Sequence, residues 1–442
     1  MWAALLLAVS TAVGVTALQP DTRPNIIFVL ADDLGPGDVG VYGGRLVPTP
    51  RLDALAAQGT RFTQYYSASP ICSPSRAGLI TGQRPARWRI TSYLQTRKGN
   101  AGAGMADYLD PRAPSLPRAL KSAGYATAHV GKWHLGGGRD VVDAPKFAAY
   151  GYDEGIGTYE SPEPHPEITA TRWIWSEQDP VKRWDRSAFF VDRALDFLDR
   201  HRGTPTFVNL WLDDPHTPWI GNTESDRKDT PQNLKPVLAE MDRQIGRLLD
   251  GLRSRGLDKN TVVIFASDNG ALPTFDGARS APYRGHKLSL YEGGIRVPFI
   301  VRWPGKVPAG KVDGRSILTA QDVFPTLCAI AGATLPGGEP LDGIDVSRAW
   351  RGQPITRRAP LLWEYGRNDE FFQYGPDRSP SLAVRRGDWK LLINPDRTRT
   401  ELYDIVKDPA EQQNVAGAHP AVVAELTALL FDWRETWPRV SP

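Results

Sequence analysis

A chain of 442 residues is long enough for one large α/β domain with an added subdomain, or for two ordinary domains, so it needs no disulfide or metal staple to bury a core. Its 53 Lys and Arg against 50 Asp and Glu leave a formal charge of +3, which excludes the global field of a nucleic-acid or membrane-surface binder. With 41% hydrophobic residues, 42 Gly and 38 Pro, the composition is that of a loop-rich globular enzyme and not of a disordered chain.

The first residues, from Met1-Trp2-Ala3-Ala4-Leu5-Leu6-Leu7, form an apolar run that ends near Val15-Thr16-Ala17, a small-residue pattern resembling a signal-peptidase site. Residues 1–18 are read as a signal peptide, which predicts a secreted or periplasmic protein with no stable membrane association. The run is short for a membrane span but lacks Lys or Arg ahead of it, so an uncleaved anchor stays as the alternative.

Asn25–Ala31 is a continuous apolar run of strand length, as in a parallel strand buried on both faces, and ends in Asp32-Asp33. Helical spacing follows at 50–58, 115–122 and 187–200. A second buried strand, 206–212, ends in Asp213-Asp214-Pro215-His216. A longer helix spans 234–254, with Leu238, Met241, Ile245 and Leu248 on one face. A third strand, Thr261–Ser267, ends in Asp268-Asn269-Gly270. Cys328 lies in an apolar helix-like stretch and reads as a buried small hydrophobe, although a disulfide with Cys72 is the bland use of two cysteines in an exported chain. After about residue 350 the pattern changes to two short strands within 381–393 about a Gly-Asp turn, then a helix at 420–436. The expectation is an α/β fold: a large mostly parallel sheet sandwiched by helices, over residues 22–350, with a smaller C-terminal α+β subdomain over residues 351–442.

Three strands thus deliver polar groups at their carboxyl ends, the edge where open α/β sheets bind ligands. Asp32, Asp33, Asp268 and Asn269 supply hard oxygen ligands only, which suits Ca²⁺ or Mg²⁺ better than zinc. Either pair alone is commonly just a strand-ending turn; the weight lies in their sharing one edge. Cys72-Ser73-Pro74-Ser75-Arg76-Ala77-Gly78 places a cysteine, a turn-setting proline and an arginine at fixed spacing before a helical stretch.

That segment resembles the Cys-x-Pro-Ser-Arg signature of the type I sulfatases of the alkaline-phosphatase superfamily, in which a formylglycine-generating system oxidises the cysteine to an aldehyde. Further matches run in the family's order over nearly the whole chain: Gly131-Lys132-Trp133-His134-Leu135-Gly136, His216-Thr217-Pro218, and Arg284-Gly285-His286-Lys287 with Glu292-Gly293-Gly294. Pro36 departs from the bulky residue that many relatives carry there.

The resemblance implies an alkaline-phosphatase-like fold and hydrolysis of a sulfate monoester through a formylglycine hydrate at position 72 and a covalent sulfated enzyme. It implies one Ca²⁺ per chain, held by Asp32, Asp33, Asp268, Asn269 and the modified residue 72. It gives Lys132 and Lys287 the sulfuryl oxygens, Arg76 the orientation of the diol, His216 the proton for the leaving alcohol, and His134 the proton of the second hydroxyl. Such cations offset the repulsion between an anionic ester and its nucleophile.

Arylsulfatases and galactose or N-acetylgalactosamine sulfatases are the nearest resemblance, so a sulfated glycan is the expected substrate. The segment 151–184, with Tyr152, Tyr159, His165, Arg172, Trp173, Trp175 and Arg183, is rich in groups that bind sugars or anions, and its bland reading is an aromatic-pinned loop. Two alternatives remain: a phosphonate or phosphodiester hydrolase of the same superfamily, and an inactive glycan-binding homologue.

Overall fold

A computed structural model of the chain describes residues 23–158, 160–168, 176–221, 228–338, 340–366 and 377–436. The signal-peptide reading therefore lies outside the described residues. In chain order the elements are β1 (Asn25–Ala31), α1 (Pro50–Ala57), β2 (Thr60–Phe62), β3 (Tyr65–Tyr66), α2 (Cys72–Thr81), α3 (Arg97–Gly102), α4 (Leu116–Ser122), β4 (Ala126–Gly131), β5 (Glu154–Gly157), α5 (Arg186–Arg200), β6 (Thr206–Trp211) and α6 (Leu234–Ser254). There follow β7 (Thr261–Ser267), α7 (Glu292–Ile295), β8 (Phe299–Arg302), β9 (Lys311–Asp313), β10 (Leu318–Thr319), α8 (Val323–Ala331), α9 (Ser347–Trp350), β11 (Leu361–Glu364), β12 (Leu382–Arg386), β13 (Trp389–Ile393), β14 (Glu401–Asp404) and α10 (Pro420–Glu435).

The apolar run of β1 buries both of its faces, because alternate side chains point to opposite sides of the sheet. Ile26, Phe28 and Leu30 join one core with Leu79 and Ile80 of α2, Leu120 of α4 and Phe324 of α8. Ile27, Val29 and Ala31 join the other with Leu52 of α1, Phe190 of α5 and Leu238 and Met241 of α6. This two-sided cover is the helix–sheet–helix sandwich that the alternation of elements predicts. The sheet has eight strands in the order β5-β4-β6-β1-β7-β8-β2-β9. Its first five run parallel, and β8 is antiparallel to both neighbours.

Within that order β4, β6, β1 and β7 are adjacent and parallel, so the residues that follow them emerge along one edge. β4 is the strand that the sequence hides, since Thr127 and His129 interrupt its apolar run. His129 is accommodated by an aromatic box: the rings of Trp133, Phe147, Tyr152 and Trp211 stand 5.0 to 5.6 Å from it. Burial pushes its pKa down to about 3, so it sits there neutral.

The C-terminal strands form a separate antiparallel sheet, β11-β12-β13-β14, in which the two expected strands are the central pair. Its alternation divides cleanly. Trp363, Ala383, Leu392 and Tyr403 pack with Tyr66, Ile71 and Cys72, while Leu362, Leu382, Val384, Leu391 and Leu402 pack with Leu426 and Leu430 of α10. The small sheet is thereby clamped between its own helix and the segment from Tyr66 into the start of α2; Trp363 Nε1 donates to the Ser67 carbonyl at 2.9 Å.

Candidate active site

Cys72 is the first residue of α2, a helix all of whose residues are buried. Cys72 thus stands at the N-terminal end of a buried helix, the end whose dipole favours anions. Gly131 lets the chain turn from β4 into the site: at φ 112 it lies where a Cβ would stand 1.9 Å from the Trp211 carbonyl oxygen. The next residue, Lys132, then donates its N–H to that same oxygen at 2.8 Å. On the other side Gly270 passes so close to Gly293 that a Cβ would fall 2.0 Å from the Gly293 oxygen, which holds the Asn269 turn against the Glu-Gly-Gly segment.

These elements gather the expected residues from four strand ends, α2 and the Lys287 loop. Cys72 Sγ lies 3.4 Å from Asp32 Oδ1, 4.0 Å from Asp33 Oδ1 and 3.6 Å from Lys132 Nζ. Lys132 Nζ donates to Asp32 Oδ2 at 2.6 Å, and Lys287 Nζ to Asp33 Oδ2 at 2.7 Å. Arg76 donates through Nε and Nη2 to Asp268 Oδ2 at 3.1 and 2.8 Å, and through Nη1 to the Lys132 carbonyl at 2.8 Å. Donor atoms of Asp32, Asp33, Cys72 and His216 all lie within 4.8 Å of one another. Asp268 stands apart from that tightest group, its Oδ2 engaged by Arg76 and its Oδ1 accepting the Asp33 N–H at 3.2 Å.

Asn269 carries the observation that tests for a cation. Its Nδ2 donates to Asp33 Oδ1 at 2.8 Å and to the Gly270 carbonyl at 2.9 Å, while its Oδ1 is buried without a hydrogen-bond partner. Buried carbonyl oxygens are normally satisfied, and one left open beside two carboxylates fits a hard-cation ligand.

Charge in the cluster is sharply polarised. Burial raises the Asp32 pKa, but Lys132, His216 and Arg76 together hold it well below the usual carboxylate range. Burial likewise works against both ammonium groups, yet Asp32 beside Lys132 and Asp33 beside Lys287 keep them charged and raise their pKa. Cys72 goes the other way: burial outweighs Lys132 and Lys287 and pushes the thiol well above its ordinary value. An unmodified Cys72 is therefore a protonated thiol and a poor nucleophile.

The two histidines stand in different settings. His216 Nε2 is 3.7 Å from Asp33 Oδ2, and Nδ1 lies 2.6 Å from the Thr217 carbonyl. Burial, then Lys132 and Lys287, lower its pKa to about 4. His134 is held in the left-handed region at φ 54, with Nε2 2.7 Å from Glu160 Oε2 and 3.1 Å from the Leu94 carbonyl. Such backbone placement in a non-glycine residue is strained and is maintained by surrounding contacts.

Not every expected group lies where a pocket would need it. Arg183 is a buried structural ion pair with Asp213 and Asp214 and donates to the His216 carbonyl at 2.8 Å, which removes it from the sugar-binding candidates. Tyr152 is also buried, its hydroxyl accepting from Asn209 at 2.6 Å. Tyr159, Arg172, Trp173 and Trp175 lie outside the described residues. The loop with Pro36 keeps its anchor, since Arg279 pairs with Asp38 at 2.9 Å and donates to the Asp33 carbonyl at 2.8 Å. His286 is folded onto its own turn, Nδ1 2.6 Å from the Lys287 carbonyl. Cys72 and Cys328 are both free thiols. Sequence reading missed Glu160 and Arg279, because neither belongs to a motif and each acquires its partner only through the fold.

Two family profiles match the chain: Sulfatase, over residues 24–333, and N-sulphoglucosamine sulphohydrolase, C-terminal, over residues 285–436. The chain is similar to an N-acetylgalactosamine-6-O-sulfatase of Bacteroides thetaiotaomicron, 29% identical with 93% of each chain covered. It is 33% identical to the N-acetylgalactosamine-6-sulfatase of Canis lupus familiaris, over 96% of this chain and 82% of the relative. Its structure is similar to the crystal structure of Ps i-CgsB in complex with k-i-k-neocarrahexaose, with a TM-score of 0.76, 26% identity and 95% of each chain covered.

Proposed function

The chain belongs to the sulfatase family and is a sulfuric ester hydrolase, and from that premise we propose that it removes sulfate from a sulfated glycan of the galactose or N-acetylgalactosamine type. The single observation that carries this reading is the buried Cys72 side chain 3.6 Å from Lys132 Nζ and 3.4 Å from Asp32 Oδ1, at the N-terminus of α2. Relatives named for the 6-sulfate of N-acetylgalactosamine make that ester the first to test.

The formylglycine that this family makes from such a cysteine supplies, as its hydrate, two hydroxyls on one carbon, one to attack sulfur and one to release the product. Because Cys72 is 2% exposed, a formylglycine-generating system has to reach it before the chain closes. Asp32, Asp33, Asp268, Asn269 and residue 72 would hold a divalent cation, Ca²⁺ on the chemistry of an oxygen set, which lowers the pKa of the attacking hydroxyl and neutralises sulfuryl oxygen.

The chain's own side chains account for the rest. Arg76, pinned between Asp268 and the Lys132 carbonyl, orients residue 72 and ties α2 to β4. Three side-chain cations, Arg76, Lys132 and Lys287, pair with Asp268, Asp32 and Asp33, so each has an acidic partner before anything binds. With the carboxylates holding a divalent cation, Lys132 and Lys287 would be free to grip the monoanionic sulfate ester, where fixed charge in a dry site stabilises the transition state. His216 stands at the rim of the same cluster to donate a proton from Nε2 to the departing sugar oxygen; the bound anion offsets the lysines that hold its pKa low. His134 takes a proton when sulfate is released. Export through a cleaved leader at 1–18, and a division into a catalytic region 22–350 and a C-terminal subdomain 351–442, belong to the same proposal.

The test is release of inorganic sulfate from 6-O- and 4-O-sulfated galactose and N-acetylgalactosamine by protein matured with a formylglycine-generating system. Turnover of one of these supports the reading. Turnover of phosphonate or phosphodiester substrates with no sulfate release replaces it with the superfamily's other chemistry.

A further inference from the structure

We propose that Glu160 is a positioning residue that fixes His134 in the tautomer carrying its proton on Nε2, leaving Nδ1 as the base that releases sulfate. The inference rests on the reading of His134 as that base and adds the residue that makes it one. Both groups near Nε2 are acceptors: the Glu160 carboxylate oxygen at 2.7 Å and the Leu94 carbonyl at 3.1 Å. Only an N–H satisfies them, so Nε2 carries the proton. Burial pushes Glu160 upward, but the hydrogen bond from His134 and the Arg139 guanidinium act to lower it, so it accepts and does not donate. Burial lowers the His134 pKa, which keeps the ring neutral. Nδ1 then bears a lone pair, and it is buried without a hydrogen-bond partner. A buried acceptor left open is a place for a donor that arrives with the reaction.

Glu160 is itself fixed. It is 3% exposed, its Oε1 accepts from Arg139 Nη2 at 2.8 Å, and its backbone carbonyl accepts the His134 N–H at 3.1 Å. The ring is also tied to the neighbour of the reacting residue, since Leu94, whose carbonyl faces Nε2, donates its own N–H to Ser73 Oγ at 2.9 Å. In the release step Nδ1 takes the proton of the second hydroxyl on the residue 72 carbon. That O–H pair closes the carbonyl, the carbon–oxygen bond to sulfate breaks, and its pair leaves with the sulfate dianion. Water then adds across the carbonyl to restore the hydrate, and Nδ1 gives its proton to solvent.

Glu160→Gln, which keeps the shape and removes the charge, is expected to lower kcat about 10²-fold, equally for aryl and sugar sulfates because the affected step follows loss of the alcohol. During turnover it should leave covalent sulfate on the residue 72 peptide in the mass spectrum, as His134→Ala should. Sulfate trapped in His134→Ala but not in Glu160→Gln overturns the role of Glu160 alone; sulfate trapped in neither overturns the base reading with it. A second readout needs no turnover: long-range proton–nitrogen NMR of His134 in wild-type protein with unmodified Cys72, at neutral pH. The expected signature is a neutral ring with its proton on Nε2, and a proton on Nδ1 overturns the proposal even if the variant fails to fold.

Discussion

Lys132 and Lys287 each sit within hydrogen-bond distance of one aspartate, so replacing either removes a cation and leaves a buried carboxylate facing the remaining ones. Lys132→Ala or Lys287→Ala is expected to lower kcat/KM by about 10²- to 10³-fold, the usual effect of removing one preorganised group from a charge-stabilising site. Retained circular dichroism with near-normal turnover in either variant contradicts the assignment. His216→Ala should slow sugar esters more than aryl esters, since an aryl oxide leaves without a proton. Equal losses on the two substrate types remove the general-acid role. At this scale the sequence carries much: Cys72, Arg76, Lys132, Lys287 and the aspartates stand in motifs, and the fold brings them together. It does not carry Glu160, 26 residues from His134 in a segment without a motif, or show that Arg183 spends its charge on Asp213 and Asp214.

Among the elements, β1, β6 and β7 were legible because a strand buried on both faces must be apolar throughout. β4 was not, because its His129 is paid for by four aromatic rings from elsewhere. β11 and β14 were hidden by their length of four residues each. The seam between the small sheet and α7 makes a prediction of its own. Lys390 on β13 reaches Glu292 on α7 at 2.8 Å and Glu411 at 2.9 Å, all three buried. Burial acts upward on Glu292, but Lys390 and Arg296 bring it to about 2, whereas burial, with Glu292 adding to it, pushes Glu411 up to about 7. The depressed group gives stability present above its unfolded value of 4.5 and lost as pH falls toward 2. The raised group acts oppositely: its contribution is full below 4.5 and is lost as pH rises to about 7. Glu411→Gln should therefore flatten the fall in Tm between those two pH values, and an unchanged slope in the variant contradicts the account.

Over the whole molecule, the end of β1 and the loop before α7 bring residues separated by more than 250 positions, Asp33 and Lys287, to 2.7 Å. The sequence announced that edge through the polar residues ending its strands, but not the way the C-terminal sheet packs on the start of α2, which depends on alternating faces of short strands. No helix among the described residues is long and apolar enough to cross a membrane. A cation that binds the folded site stabilises the fold by mass action, about 2.7 kcal/mol at a hundredfold excess over Kd. Chelation should lower Tm, and Ca²⁺ should restore it better than Zn²⁺; the reverse order contradicts the oxygen ligand set.

The most direct test of the central claim is mass spectrometry of the peptide spanning Cys72, from protein matured with a formylglycine-generating system, paired with sulfate release from the same sample. The account predicts an aldehyde or its hydrate at position 72, sulfate release from a sulfated sugar, and loss of that release in Cys72→Ala with the fold retained. Sulfate release by protein whose Cys72 remains a thiol, or by Cys72→Ala, would contradict it.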